Sequence, residues 1–250
     1  MPIHSELQSP GFGARPTRRV PVWAVRFAVA AFLGGGTVFV LAWAVLGSTV
    51  WQALAVTALF MSACVVVATV MRETYPHAFI GLCNLVTLAR LVLTVSLVAP
   101  ILDAGAAPVW GVFSLAVLAL ALDGVDGWFA RRQGLSSAFG ARFDMEVDAG
   151  LSLVVALNAL AAGTAGPLVL LLGIPRYAFA VAGRVLPFLA NPLPDRFGRK
   201  VACVLQIGAL IALQRPILSE AQAGVAVGVA TLALFWSFGR DAIWLYRRHA

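Results

Sequence analysis

Apolar runs long enough to cross a bilayer occupy most of this chain, and they constrain its fold more than any other feature. Val22 to Leu46 is one such run, broken only by Arg26, and about Val50 to Val70 is a second, after an uncharged turn at Gly47-Ser48. A helix needs about 20 apolar residues to span the hydrocarbon layer. Of the 250 residues, 61% are hydrophobic and 12% charged, more oil than a soluble core could hide. Backbone groups inside a bilayer must satisfy their hydrogen bonds within the segment, so the expected class is all-α, a polytopic helical membrane protein.

Residues 1–20 are polar and broken by Pro2, Pro10 and Pro16, and they read as a cytoplasmic tail. The first run is too long for a signal-peptide core and has no convincing cleavage site, so it is read as an uncleaved span. Arg72, Glu73, Tyr75, Pro76 and His77 then interrupt the apolar pattern, which predicts a junction with a short interfacial helix. Beyond it, spans are predicted near 79–100, 108–131, 139–163, 166–188, 199–214 and 221–246. The expected architecture is therefore a six-helix core plus two N-terminal transmembrane helices. Cys64, Cys83 and Cys203 lie in or beside apolar spans without paired spacing, and are read as small buried hydrophobes.

The net charge of +7 does not point to nucleic acid, because no soluble basic domain exists to hold it. Positive-inside topology accounts for it better. Arg15, Arg18 and Arg19, then Arg72, Arg131 and Arg132, then Arg196, Arg199 and Lys200, then Arg247 and Arg248 fall on one side of the predicted spans, against Arg215 on the other. Both termini are thus expected in the cytoplasm of a multi-pass protein.

Against this background, five of the eleven acidic residues lie between Asp123 and Asp148. Carboxylates so close to membrane spans are costly and point to function. On a helix, Asp123 and Asp126 stand at i and i+3, with Gly127 and Ala130 continuing their face. On the next, Gly140, Asp144 and Asp148 stand at i, i+4 and i+8. The loop between, Arg132 to Phe139, is of hairpin length, so the two helices can face each other and bring four carboxylates together. Such a cluster stays ionised only with cations among it. Oxygen-only ligands favour Mg²⁺ or Mn²⁺, whose open positions are commonly shared with substrate phosphate. Arg131 can neutralise a phosphate, and the small residues let a bulky ligand lie against the backbone. Glu146 falls off the stripe and is left out of the metal set.

These residues spell D-x-x-D-G-x-x-A-R-x8-G-x3-D-x3-D, and the chain thereby resembles the CDP-alcohol phosphotransferase family of integral membrane enzymes. Asp123, Asp126, Gly127, Ala130, Arg131, Gly140, Asp144 and Asp148 fill every fixed position. Upstream, Asn84, Thr87 and Arg90 resemble the N-x-x-T-x-x-R pattern that opens the core in many members, with helix packing and support of the site both open as their role. The resemblance divides the chain into a tail (1–20), two additional helices (21–72) and a catalytic core (73–250). It implies a centre of two divalent ions held by Asp123, Asp126, Asp144 and Asp148. It also implies a nucleotide pocket of Asp126, Gly127, Ala130, Arg131 and Gly140, and Asp148 as the base.

The reaction so implied transfers a substituted phosphate from a CDP-linked lipid, CDP-diacylglycerol being favoured, to an acceptor alcohol, and releases CMP. Homodimerisation is likewise implied by resemblance. For the acceptor, Arg176, Arg184, Arg199 and Lys200 would draw a phosphorylated alcohol. The stretch from Phe197 to Gln206 partly resembles a region of phosphatidylglycerophosphate synthases, without its threonine. Glycerol 3-phosphate or a similar polyol phosphate is therefore favoured over inositol phosphate, serine or phosphatidylglycerol. A transporter would need a polar path to the far side, where the spans carry almost none. An inactive scaffold would be expected to have lost an aspartate.

Overall fold

A computed structural model describes residues 21–102, 108–133, 137–186, 197–214 and 219–249, with the side chains of 125–133, 197, 199–200, 220 and 249 outside the description. Among the described residues the secondary structure is entirely helical. Helix α1 (Val22–Val40) runs into a π turn at Leu41–Val45, and α2 (Val50–Thr74) returns alongside it. Thr49 and Gln52 cap α2 reciprocally, and Gln52 Nε2 donates to Leu102 O at 3.1 Å, tying this end to the chain beyond α3 (Leu82–Ser96). Then come α4 (Val109–Gln133), α5 (Ala138–Ala161), the four-residue α6 (Leu170–Gly173), α7 (Pro175–Val185), α8 (Phe197–Ala212) and α9 (Glu220–His249).

Among the described residues, four helical segments are long and apolar enough to cross a membrane: Val22–Val45, Val50–Thr74, Leu82–Leu102 and Ala221–Arg248. A fifth is added if Pro167–Gly173 and Pro175–Val185, bent by 61° at Ile174, count as one span. The bend falls where Pro175 removes a backbone donor and restricts the residue before it. Two shorter apolar stretches, Val109–Gly124 and Val201–Ala212, belong to α4 and α8. Helix α5 carries Asp144, Glu146 and Asp148 in its N-terminal half, which interrupts its apolar length.

Phe60, Leu97, Leu151, Leu172, Leu210 and Leu234 are buried between helices, whereas Phe32, Trp51 and Trp236 are three-quarters or so exposed on the outside. Large apolar side chains facing outward on so many helices suit hydrocarbon, not water. In such surroundings association of helices depends on close packing and interhelical hydrogen bonds rather than on burial from water. Both devices are present. A Cβ at Gly34 would lie 2.8 Å from Phe60 Cζ and 3.1 Å from Val92 Cγ2, so the glycine lets α1 touch α2 and α3 while the helix continues unbroken. Buried Asn158 on α5 donates to Leu97 O at 2.8 Å, and buried Gln214 donates to Val155 O at 3.0 Å. Helix α5 is thereby pinned to α3 on one side and to the end of α8 on the other.

The junction after α2 differs from the sequence expectation. Residues 75–81 form no helix, because Pro76 cannot continue α2 and the residue before it is driven to extended backbone. Tyr75 organises the segment instead. Its hydroxyl donates to Phe79 O at 2.8 Å and accepts from Gly81 N–H at 3.2 Å and Asn84 Nδ2 at 3.4 Å. Its ring meets Trp23 of α1 and Phe139 of α5 edge-on.

Candidate metal centre

Three helices meet at one end of the bundle with their polar residues turned inward. Ser137 caps α5 by accepting from Gly140 N–H at 3.0 Å, which starts the helix there and sets Asp144 and Asp148 one and two turns in. A Cβ at Gly140 would fall 2.9 Å from Asn84 Oδ1, so glycine is what allows α5 to come this close to α3. On α4, Asp123 completes the group. One carboxylate oxygen each from Asp123, Asp144 and Asp148 lies within 4.8 Å of the others.

Arg90 of α3 sits among them and is only 1% exposed. Its Nη2 contacts Asp123 at 3.0 Å and also pairs with Asp148, while Nη1 pairs with Asp144. Nε donates to Ala119 O at 3.2 Å, four residues before Asp123 on α4. A planar guanidinium with five donors can bridge two helices in this way, as an ammonium could not. The sequence left Arg90 open between packing and support of the site, and the structure places it in the site. Thr87 bonds its own helix at Cys83 O, and Asn84 faces Tyr75 and Gly140.

The electrostatics follow from the count of charges. Three carboxylates gather about one guanidinium, and a divalent cation would add positive charge to the same group. The carboxylates are 34–39% exposed at the side chain, so an ion could reach them. An all-oxygen donor set suits a hard cation such as Mg²⁺ or Mn²⁺, and the residues present fit such an ion.

The fourth aspartate of the pattern, Asp126, lies on α4 with its side chain outside the description, as do those of Gly127, Ala130, Arg131, Arg199 and Lys200. Arg184 is exposed on α7. Arg176 pairs with Glu146 at 2.7 Å, which gives that off-stripe carboxylate a partner of its own. Both Asp148 and Arg176 line a cleft of about 250 Å³ beside the aspartate cluster. Cys64 and Cys83 are buried and outside any disulfide, but Cys203 is exposed and lines this cleft, because α8 turns that face to the opening rather than to the core. Sequence reasoning missed the cleft, since its walls come from four helices far apart in the chain.

The family model of CDP-alcohol phosphatidyltransferases matches residues 80–237, well over half of the chain, from two residues before α3 to partway along α9. No curated protein and no solved structure gives a significant match.

Proposed function

Since the chain belongs to the CDP-alcohol phosphatidyltransferase family, whose members are CDP-alcohol phosphotransferases, we propose that it transfers a substituted phosphate from CDP-diacylglycerol to glycerol 3-phosphate or a similar polyol phosphate. The observation that carries this reading is the convergence of Asp123, Asp144 and Asp148 about the buried guanidinium of Arg90. Asp126 joins them as a ligand by its place in the pattern. Mg²⁺ or Mn²⁺ bound there, two ions by resemblance to the family, would supply charge neutralisation for the pyrophosphate and its leaving group.

The rest is the work of the chain. Asp148 takes the proton of the acceptor hydroxyl, at a carboxylate that faces both the aspartate cluster and the cleft. The acceptor oxygen then attacks the phosphorus that bears the donor's alcohol. A new phosphorus–oxygen bond forms, the bond to CMP breaks, and CMP leaves with the electron pair. Arg131 holds the departing phosphate, and Gly127, Ala130 and Gly140 leave room for the nucleotide. Arg176, Arg184, Arg199 and Lys200 attract the acceptor's phosphate. The arrangement in the membrane is six core helices preceded by two more, as a homodimer with both termini and the aspartates on the cytoplasmic side.

The test is CMP release by purified protein in detergent with Mg²⁺ or Mn²⁺ and CDP-diacylglycerol, offered glycerol 3-phosphate, inositol phosphate, serine or phosphatidylglycerol. Release is expected with glycerol 3-phosphate, and Asp148→Asn should lower it by at least about a hundredfold. Release with a different acceptor would correct the acceptor. No release with any, in protein that keeps its fold, would sink the reaction.

A further inference from the structure

Helix α1 carries no carboxylate, yet one of its faces reaches toward the aspartate site. Trp23 and Arg26 stand three residues apart on that helix and so share a face. The Trp23 ring meets the Tyr75 ring edge-on with 6.3 Å between centroids, and the Arg26 guanidinium lies 5.3 Å from the centroid of the Phe79 ring. Both contacts grip the short segment between α2 and α3. Trp23, Arg26 and Tyr75 all fall before residue 80, where the family match begins, so the shared pattern accounts for none of them.

From Tyr75 two paths run on to the first turn of α5. The ring packs edge-on against Phe139 at 5.7 Å, and Phe139 packs in turn on Phe143. The hydroxyl accepts from Asn84 Nδ2, while Asn84 Oδ1 faces Gly140 so closely that a Cβ there would come within 2.9 Å. Asn84 is only 2% exposed, so its amide has little room to turn. The same hydroxyl donates to Phe79 O and accepts from Gly81 N–H, which uses its one donor and both its acceptor positions. Tyr75 can therefore hold its neighbours, but it has no hydrogen bond left to offer a substrate. Further along α5, Asp144 and Asp148 are held separately by Arg90, and the far end by Asn158 and Gln214.

We propose that Tyr75, backed by Trp23 of α1, positions the first turn of α5 for the cytidine nucleotide, so that the N-terminal helix pair sets how tightly the nucleotide is held. The inference rests on the nucleotide pocket of the proposed function, to which Gly140 belongs, and gives that pocket a support outside the family core. Tyr75 is a positioning residue and acts through Asn84 and Phe139. Without its hydroxyl, the Asn84 amide and the Gly81 N–H lose their acceptor, and the cheapest repair is to turn the amide, which shifts the oxygen set against Gly140. The aspartates stay in place, because Arg90 holds them.

The test is calorimetric titration of CMP into the purified full-length protein in detergent with Mn²⁺, alongside the Mn²⁺-induced rise of the unfolding midpoint without nucleotide. Tyr75→Phe, which keeps the ring and removes the hydroxyl, should raise the Kd for CMP about tenfold and leave the Mn²⁺ rise unchanged. Trp23→Leu should move the Kd the same way by a smaller factor, and carries the test if the Tyr75 variant does not fold. In turnover, both should raise KM for the CDP-linked donor and spare KM for the acceptor. An unchanged Kd in folded variants would overturn the proposal, and so would equal losses of the CMP and Mn²⁺ responses, which mark general support of the fold. Wild-type protein that binds no CMP would sink the proposed reaction and this inference together. CMP binding that weakens as expected, in a protein that transfers to no acceptor, would uphold the positioning role and sink the reaction alone.

Discussion

Arg90 sets the behaviour of the site at the scale of single residues. It is the one described cation that touches all three clustered carboxylates, so it and a bound divalent ion act on the same negative charge. Arg90→Ala is expected to cost the metal-free protein about 2–3 kcal/mol, less than a fully buried pair would lose because a third of each carboxylate meets solvent. Added Mn²⁺ should then raise the unfolding midpoint more in the variant than in the wild type, since the ion replaces the missing charge. Thermal unfolding in detergent with chelator and with Mn²⁺ measures both effects. Equal Mn²⁺ shifts in the two proteins would show that Arg90 and the ion do not share these carboxylates. Tyr75 works differently, through one hydroxyl that gathers Phe79, Gly81 and Asn84 beneath the start of α5.

Among the elements, the contact of the N-terminal pair with the core rests on small residues. Gly34 is where α1 meets both Phe60 and Val92, and Phe60 is fully buried, so its ring has no room to retreat. Gly34→Val should cost about 1–3 kcal/mol by overpacking. The loss should appear as a lower unfolding midpoint, with Mn²⁺ stabilisation retained because the carboxylates sit on α4 and α5. A variant as stable as the wild type would mean that α1 is not held at this point. Helix α5 is the better-fixed element, pinned by Asn158 and Gln214 at one end and carrying Asp144 and Asp148 at the other. Rigid support of that kind is what keeps two carboxylates aimed at a third on another helix.

For the whole molecule, sidedness is the property that joins the fold to the chemistry. The distribution of Arg and Lys predicts that the aspartate end faces the cytoplasm, where soluble nucleotide can meet lipid. Cys203 opens onto the same cleft as Asp148, so it reports the side. A membrane-impermeant maleimide should label it in inverted vesicles and not in intact cells. The opposite pattern would reverse the topology.

Membrane character and the carboxylate stripes could be read from the chain alone, because both depend on local spacing: hydropathy over a span and the 3.6-residue repeat of a helix. Asp123, Asp144 and Asp148 were legible for that reason, and they do converge. At Gly34 the local sequence does not say whether the helix bends or admits a neighbour, and packing against Phe60 and Val92 decided for the neighbour. Pro76 announced the end of α2, yet the hydrogen bonds of Tyr75 decided that no interfacial helix follows. Arg90 and the cleft beside Asp148 lay beyond what local pattern could assign, for each gains its meaning from helices tens of residues away. Spacing along one helix determines which side chains share a face, but which faces meet, and so which charge lies beside which, is decided only when the helices pack.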